Sequence, residues 1–180
     1  LLNLPLIIIK MSIKDELLKE HSRRQTDKIT LLIGKNQDMF NELMHCVFSK
    51  DIKVSQRASP VMYECGLLNP TLLKKWHKKL IINLSNPVHN AVKRNTVRLY
   101  QFIEIPESTE GILSEQCFKL LRDQESPIAI KAFALTVISR IAEKYPELKS
   151  ELILSFEQQR DYASKGLKSR ATKVLKLNKE

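Results

Sequence analysis

The residues of this sequence best suited to binding chemistry are basic side chains that stand apart from acidic ones. The chain has 30 Lys and Arg against 20 Asp and Glu, a formal net charge of +10. No acidic residue occurs between Glu64 and Glu104. That interval contains the basic residues Lys74, Lys75, Lys78, Lys79, Lys93, Arg94 and Arg98. Such a cluster can neutralise phosphates and release their condensed counterions, so it is a candidate surface for a polyanion.

A second basic block lies at the C-terminal end, opposed only by the final Glu180. It comprises Lys165, Lys168, Arg170, Lys173, Lys176 and Lys179. Arg94 and Arg98 are four residues apart and would share one face of a helix. The candidate residues for binding a polyanion or a protein partner are Arg57, Lys93, Arg94, Arg98, Lys131, Lys168 and Lys173. The alternative is that these side chains only solvate helix surfaces, and that the helix dipole favours cations near a helix end.

The sequence contains no recognisable motif for a metal site, a disulfide framework or a catalytic site. Cys46, Cys65 and Cys117 lack metal-ligand or redox spacing, and an odd number makes a poor disulfide framework. We therefore expect buried free thiols in a reducing cytosol. The four histidines form no H-x-x-x-H or H-E-x-x-H pair, and there is no Gly-rich phosphate loop or G-x-S-x-G elbow. The sequence predicts no metal site, no cofactor and no catalytic residue.

A segment that occurs four times predicts the repeated units that must position the basic residues. Val-Ser-Gln-Arg-Ala at 54–58 returns as Val-Lys-Arg-Asn-Thr at 92–96, Ile-Lys-Ala-Phe-Ala at 130–134 and Leu-Lys-Ser-Arg-Ala at 167–171. The steps between equivalent positions are 38, 38 and 37 residues. A period of this size indicates one supersecondary unit that is copied and stacked. It places Lys93, Lys131 and Lys168 in equivalent positions.

Caps, prolines and apolar spacing predict about ten helices, mostly in antiparallel pairs, and no strand. The expected starts are Asn36, Asp51, Asn69-Pro70, Asn86-Pro87, Pro106, Ser126-Pro127 and Tyr145-Pro146. Earlier helices are expected near 13–21 and 26–34 and a last one from about 165 to 177. A single helix is expected from Asn69 to Leu84. Pro60 is expected to kink the exposed face of its helix and leave the core intact.

The paired helices, the Val-x-x-x-Ala signature on each second helix and the period resemble HEAT-like repeats over about residues 36–178. The resemblance implies an all-α, right-handed α-α superhelix, an α-solenoid whose second helices line a concave face where partners bind. HEAT repeats commonly carry an Asp before the second helix and a basic residue six positions later. Here the basic position matches Lys93, Lys131 and Lys168, but Pro87, Glu125 and Tyr162 stand where the Asp is expected.

The expected domain organisation is a single repeat domain over residues 11–180, with repeats at about 36–68, 69–105, 106–144 and 145–178. Residues 1–10 are mostly apolar but too few to cross a bilayer, and they lack a signal-peptide pattern. We expect them to be an upstream extension or a tail, with Met11 as the natural start. The expected location is the cytoplasm, with no membrane association.

HEAT-like DNA glycosylases are the nearest catalytic precedent by architecture and charge. They rely on aromatic residues with an Asp around the lesion, whereas Trp76 is the single Trp here and no Asp lies between Asp51 and Asp123. Adenylosuccinate lyase, a larger all-α enzyme, has a Ser-Ser-x-Met-Pro-x-Lys-x-Asn-Pro loop, and the nearest fragment here is Ser85-Asn86-Pro87. We therefore predict that the protein is not an enzyme.

Two functions from different classes stay open at this point. The first is a non-catalytic scaffold that binds a protein partner along its concave or terminal surfaces. The second is a binder of DNA, RNA or another polyanion through the basic candidates. Salt dependence separates the two, because phosphate contacts weaken steeply as salt is added. The identity of the partner and the oligomeric state are not encoded in any motif.

Overall fold

The computed structural model describes residues 12–175 of the chain, and over that range it is built of helices without a strand. The α helices are α1 (Ile13–Lys19), α2 (Arg23–Ile33), α3 (Gln37–Val47), α4 (Ile52–Leu68), α5 (His77–Ile82), α6 (Asn90–Leu99), α7 (Glu107–Arg122), α8 (Ile128–Ala142), α9 (Glu147–Glu157) and α10 (Lys165–Leu175). Two short 3₁₀ helices, Pro70–Leu73 and Asn83–Ser85, flank α5. The expectations for residues 1–10, for Met11 and for Lys176 and Lys179 fall outside the described residues.

The helices pack in two rows, as in a solenoid. The second-helix row consists of α2, α4, α6, α8 and α10, and each of these helices contacts the next one in the row. In the first-helix row, α1 contacts α3, and α7 contacts both α5 and α9. Contacts between α3 and α4, α7 and α8, and α9 and α10 join the two rows. The all-α solenoid expected from the repeat is confirmed.

Most helix starts follow the local capping chemistry. The Asn36 side chain accepts hydrogen bonds from the backbone N–H groups of Asp38 and Met39, both at 3.0 Å, and so begins α3. Asp51 does the same for α4, accepting from Lys53 N at 2.9 Å and Val54 N at 3.3 Å. Helices α7, α8 and α9 each begin directly after a proline. These starts confirm the boundaries read from the sequence.

The single helix expected from Asn69 to Leu84 is wrong. The chain is 3₁₀ over Pro70–Leu73, and α-helical only from His77. The interruption falls at Trp76, whose indole Nε1 donates to Asn41 Oδ1 at 3.2 Å and whose ring stacks on Phe48 with centroids 5.9 Å apart. Burial of this large ring against α3 decides the local backbone path, because its apolar area outweighs the propensity for a regular helix.

The expected helix start at Asn86-Pro87 is also wrong. Asn86 forms a tight turn in which its carbonyl accepts from Val88 N at 2.8 Å. His89 is the capping residue instead, because its Nδ1 accepts from Ala91 N at 3.1 Å, and α6 begins at Asn90. A histidine ring nitrogen can supply the acceptor that Ser, Thr, Asn or Asp usually provides. The prediction considered only the usual capping residues and therefore missed His89.

Helix α4 continues through Pro60, which is half-buried. Proline lacks the N–H group that would reach the carbonyl of Gln56. The hydroxyl of Ser59 donates to that carbonyl at 3.0 Å and replaces the missing bond. The apolar residues around Pro60, including Ala58, Val61 and Met62, are fully buried, so the core is intact as expected.

The core is one continuous cluster of aliphatic and aromatic side chains between the two rows. Cys46, Cys65 and Cys117 are free and buried within it. Burial raises the pKa of the Cys46 thiol to about 11 and that of Cys65 to about 12, and it raises the pKa of Cys117 further still. These thiols are protonated and inert at neutral pH, as expected of core residues.

A buried carboxylate holds α1 against α2. The side chain of Glu16 is 1% exposed and forms ion pairs with Lys19 and, at 3.1 Å, with Lys28 Nζ. Gln25 Nε2 donates to Glu16 Oε2 at 3.2 Å. Lys19 first and Lys28 next lower the pKa of Glu16 from 4.5 to about 2.

This lowered pKa predicts an acid-dependent loss of stability. Because the folded-state pKa lies below the unfolded value, the stabilising contribution of Glu16 is complete above pH 4.5 and is lost as pH falls towards 2. Glu16→Gln should therefore cost most stability at pH 7 and clearly less near pH 2.5, where much of the contribution has been lost. Denaturant unfolding of both proteins at these two pH values measures the difference. An equal gap at both pH values would contradict the assigned ion pairs.

Candidate interaction surface

Charge differs between the second helices α4, α6, α8 and α10 and the first helices α3, α7 and α9. Helices α4, α6, α8 and α10 carry a single acidic residue, Glu64. Their basic residues are Lys53, Arg57, Lys93, Arg94, Arg98, Lys131, Arg140, Lys165, Lys168, Arg170 and Lys173. Across the molecule, α3, α7 and α9 carry the acidic residues Asp38, Glu42, Glu107, Glu110, Glu115, Glu147, Glu151 and Glu157, with only Lys119, Arg122 and Lys149 as basic residues. We call α4, α6, α8 and α10 the basic row.

The positive charge of the basic row is uncompensated. Within residues 12–175, none of its lysines and arginines forms an ion pair with a carboxylate. Its one carboxylate, Glu64, is already paired with Arg23 Nη1 at 2.6 Å. Other basic residues behave differently, since Lys119 pairs with Glu115 and Lys144 with Glu110. A surface of this kind attracts an acidic ligand over several ångströms.

Arg94 and Arg98 are the most accessible of the predicted residues at the middle of the row. Both are exposed on α6, four residues apart. The guanidinium of Arg98 lies over the ring of Tyr63 on α4, 4.2 Å from its centroid. This cation–π contact holds Arg98 across the boundary between α4 and α6. The structure therefore gives these two arginines the shared face that their spacing predicted.

The other predicted lysines fall into two groups. Lys93 and Lys131 are half-buried, whereas Lys168 and Lys173 are exposed on α10. Lys131 Nζ donates to Gln159 Oε1 at 3.3 Å, which fixes it between α8 and the end of α9. The equivalent positions in the repeat thus have unequal access to solvent.

Arg57 is engaged within the fold. Its Nη1 donates to the carbonyls of Leu17 and Leu18 at 3.1 and 3.0 Å, at the C-terminal end of α1. A cation there satisfies carbonyls that have no partner inside the helix and complements its dipole. We therefore leave Arg57 out of the interaction surface proposed below.

Arg140, which was not among the predicted residues, also bonds to main-chain carbonyls at a helix end. Its Nη1 donates to the carbonyls of Tyr100 and, at 3.1 Å, Ile103, at the end of α6. The acceptor lies 40 residues earlier in both cases, Leu17 for Arg57 and Tyr100 for Arg140. A basic residue one repeat after a helix end is the sequence signal that could have identified both.

The lysines at 74–79 belong to a separate patch on the first-helix side. Lys79 Nζ lies 4.4 Å from the ring centroid of Phe48 and 5.6 Å from that of Trp76, and Lys75 Nζ lies 5.5 Å from Trp76. These ammonium groups cover the aromatic pair that packs α5 against α3. The acid-free interval from 65 to 103 is therefore divided between the two sides of the molecule.

Exposed aliphatic side chains accompany the second-helix row. Ile52 at the start of α4 is 64% exposed and Ile128 at the start of α8 is 54% exposed. Leu31 on α2 is 80% exposed and lines a groove with Arg24, Asp27, Lys28 and Leu32. Single apolar residues of this kind are common on protein surfaces, and a partner that covers them gains from their burial.

Two features of the described residues bear on other kinds of function. Between residues 12 and 175 there is no group of three His, Cys, Asp or Glu side chains arranged to hold a metal ion. Over the same part of the chain, no helix has the length and apolar character needed to traverse a bilayer.

Comparison with known families gives one match that covers most of the chain. A family model described as a HEAT repeat domain matches residues 13–178. No curated protein and no solved structure matches the sequence significantly. The matched range takes in every helix from α1 to α10.

Proposed function

Because the chain belongs to the HEAT repeat domain family, a repeat scaffold for interactions, we propose that it is non-catalytic and binds an acidic segment of a partner protein along the basic row. The observation that carries this proposal is the charge of α4, α6, α8 and α10. Their basic residues have no carboxylate partner within the described chain, while the first helices α3, α7 and α9 carry mainly acidic residues. Three free, buried thiols support a reducing location, the cytoplasm.

The spacing of the row suggests the form of the ligand. Packed helices lie roughly 8–10 Å apart, and an extended chain advances about 3.3 Å per residue. An extended peptide crossing the row therefore meets a new helix about every three residues. Acidic residues three positions apart would face neighbouring helices, and those six positions apart would face Arg94 or Arg98 on α6 and Lys168 or Lys173 on α10.

Ile52 and Ile128 favour a protein over a nucleic acid as the partner. A phosphate backbone gains nothing from covering an aliphatic side chain, whereas a peptide with apolar residues between its acidic ones buries it favourably. Both isoleucines are more than half exposed in the free protein. The expected ligand is therefore a peptide in which apolar residues lie between the acidic ones.

Arg94→Glu combined with Arg98→Glu should weaken binding of a synthetic peptide with Glu at every third position and Leu or Val between. Each reversal removes an attractive pair and adds a repulsive one, worth together about 1 kcal/mol at an exposed site, so two reversals predict a roughly thirtyfold loss. Fluorescence anisotropy of the labelled peptide measures the dissociation constant. A peptide of the same composition with its glutamates clustered should bind more weakly to the unaltered protein.

Lys74→Glu combined with Lys78→Glu is the matched control. These lysines are also exposed, four residues apart and in the acid-free interval, but they lie outside the basic row. The control changes the net charge by the same amount and should leave peptide binding within about twofold, because distant exposed charges are screened by salt. Equal loss in both double variants would show that net charge alone governs binding, and the proposal would fail.

Nucleic acid is the second candidate, favoured by the unpaired Arg94 and Arg98 on a helix without acidic residues. Under this alternative, a 20-base-pair duplex should bind more tightly than the peptide. Its association constant should fall with salt with a slope of about −0.9 for each phosphate contacted. The same two double variants, tested on the duplex, separate contacts with the row from general attraction.

A further inference from the structure

A crevice of about 720 Å³ separates the α7–α8 pair from the α9–α10 pair. Its walls come from the end of α7, the start of α8, the end of α9 and the turn leading into α10. Two of its lining residues are cationic, Arg122 and Lys131, and none is acidic. The remaining polar lining consists of serine and glutamine side chains and one tyrosine. A cavity with this lining selects an anion.

Lys131 is held in this crevice with donors to spare. Its Nζ gives one hydrogen bond to Gln159 Oε1 at 3.3 Å. Gln159 is itself fixed, because its Nε2 donates to the carbonyls of Leu121 and Ser155, both at 3.0 Å. An ammonium group has three donors, so two are left for a ligand. The cation is therefore positioned in advance, which lowers the entropic cost of binding.

Arg122 and Ser155 supply further donors. Arg122 donates from Nε and Nη2 to Ser155 Oγ at 3.1 and 2.8 Å, and its Nη2 also pairs with Glu151 at 2.6 Å. Its Nη1 donates to no group within residues 12–175, and the hydroxyl proton of Ser155 likewise has no acceptor in that range. Glu151 offsets part of the Arg122 charge but does not line the crevice.

The start of α8 adds backbone donors at the same place. Pro127 caps this helix without a side-chain hydrogen bond, and its carbonyl accepts from Ile130 N and Lys131 N. The N–H groups of Ile128 and Ala129 have no acceptor among the described residues, and Ile128 lines the crevice. Exposed N–H groups at a helix start reinforce an anion site that side chains already form.

From these donors we propose that the crevice binds a phosphate monoester group. A carboxylate has two oxygens, whereas a phosphate has three terminal oxygens and a charge near −2 at neutral pH, which suits a larger set of donors. The group is carried either by a small phosphorylated molecule or by a phosphorylated side chain of a partner. The crevice is a separate site from the arginine pair on α6, and its occupancy does not depend on the function proposed above.

Titration with inorganic phosphate, followed by amide chemical shifts at constant ionic strength, tests the proposal. Saturable shifts are expected at Ile128, Ala129, Lys131 and Gln159, and an equivalent chloride titration should not produce them. Lys131→Gln should weaken phosphate binding at least about fivefold, the loss of one charge-assisted hydrogen bond. Lys168→Gln, at the equivalent repeat position but outside the crevice lining, should leave it unchanged. Lys131→Arg, which keeps the positive charge, should retain phosphate binding and so serves as the control for Lys131→Gln.

The outcomes show which kind of molecule carries the phosphate group, and they test the crevice separately from the basic row. A phosphoserine peptide that binds more tightly than inorganic phosphate indicates a modified partner, and one that binds more weakly indicates that the crevice admits only a small molecule. Equal shifts in chloride and phosphate, no effect of Lys131→Gln, or binding of an oligonucleotide only would each overturn the proposal. The wild-type comparison of phosphate with chloride is decisive even if a variant fails to fold. Arg94→Glu with Arg98→Glu should leave the phosphate shifts in place, so failure of one proposal is separate from failure of the other.

Discussion

Gly66→Val is expected to lower the free energy of unfolding by about 3 kcal/mol, because the added side chain overpacks a filled core. A Cβ atom at Gly66 on α4 would lie 2.9 Å from Leu73 Cδ1 and 3.1 and 3.2 Å from the two Cδ atoms of Leu99. Both leucines are completely buried, so their Cδ atoms can give way only by disturbing the close-packed side chains around them. Valine adds two more methyl groups to the collision, so side chains between α4, α6 and the Pro70–Leu73 turn must repack.

Gly111→Val is the matched control. Gly111 is also inside a helix, on α7, but a Cβ atom there would meet no other heavy atom within 4 Å. Valine and glycine differ by only a few tenths of a kcal/mol in helix propensity, so the stability should change by less than about 0.5 kcal/mol. Guanidinium unfolding monitored by far-ultraviolet circular dichroism measures both variants. Similar losses at the two glycines would show that the effect is one of propensity and that the contact with the leucines is looser than described.

The helix ends that the sequence predicted are those with local causes. Asn36 and Asp51 cap the N–H groups two and three residues later, and Pro106 and Pro127 precede their helices directly. Such interactions span only a few residues and can be read from the order of residue types. The prediction failed at the start of α6 because the capping acceptor is a ring nitrogen of His89, an uncommon cap. It failed between residues 69 and 84 because Trp76 packs against α3 and bonds to Asn41, 35 residues earlier. That contact exists only in the folded chain.

The candidate site was predictable in its chemistry and much less so in its geometry. The period placed Lys93, Lys131 and Lys168 in equivalent positions, and the absence of acidic residues identified α6. Arg57 was predicted at the surface but turns inward to the carbonyls of α1. A main-chain carbonyl has no residue identity, so the one signal for this contact is the spacing of about one repeat between a helix end and a basic residue. The crevice at Lys131 was missed for a related reason, since it arises from the stacking of two repeats and the turn at 158–164.

Arg140→Met is expected to cost about 2–3 kcal/mol of unfolding free energy, through loss of two charge-assisted hydrogen bonds. Arg140 bridges the carbonyls of Tyr100 and Ile103, residues that are 0% and 4% exposed. Without the guanidinium these carbonyls lose their partner at a helix end where water has limited access. Methionine keeps the aliphatic stem packed on its neighbours, so the loss reports the hydrogen bonds and the charge rather than a cavity.

Two further variants make this result specific to the bridge. Arg140→Lys should recover about half of the loss, because an ammonium retains the favourable charge at the end of α6 but lies one bond nearer the main chain than the Nη1 that reaches both carbonyls. Lys149→Met removes an exposed cation on α9 and should change stability by less than about 0.5 kcal/mol. Denaturant unfolding of the four proteins side by side gives the comparison. If Arg140→Met and Lys149→Met were equally mild, the α6 carbonyls would be satisfied by water, and α8 would be held against α6 by apolar packing alone.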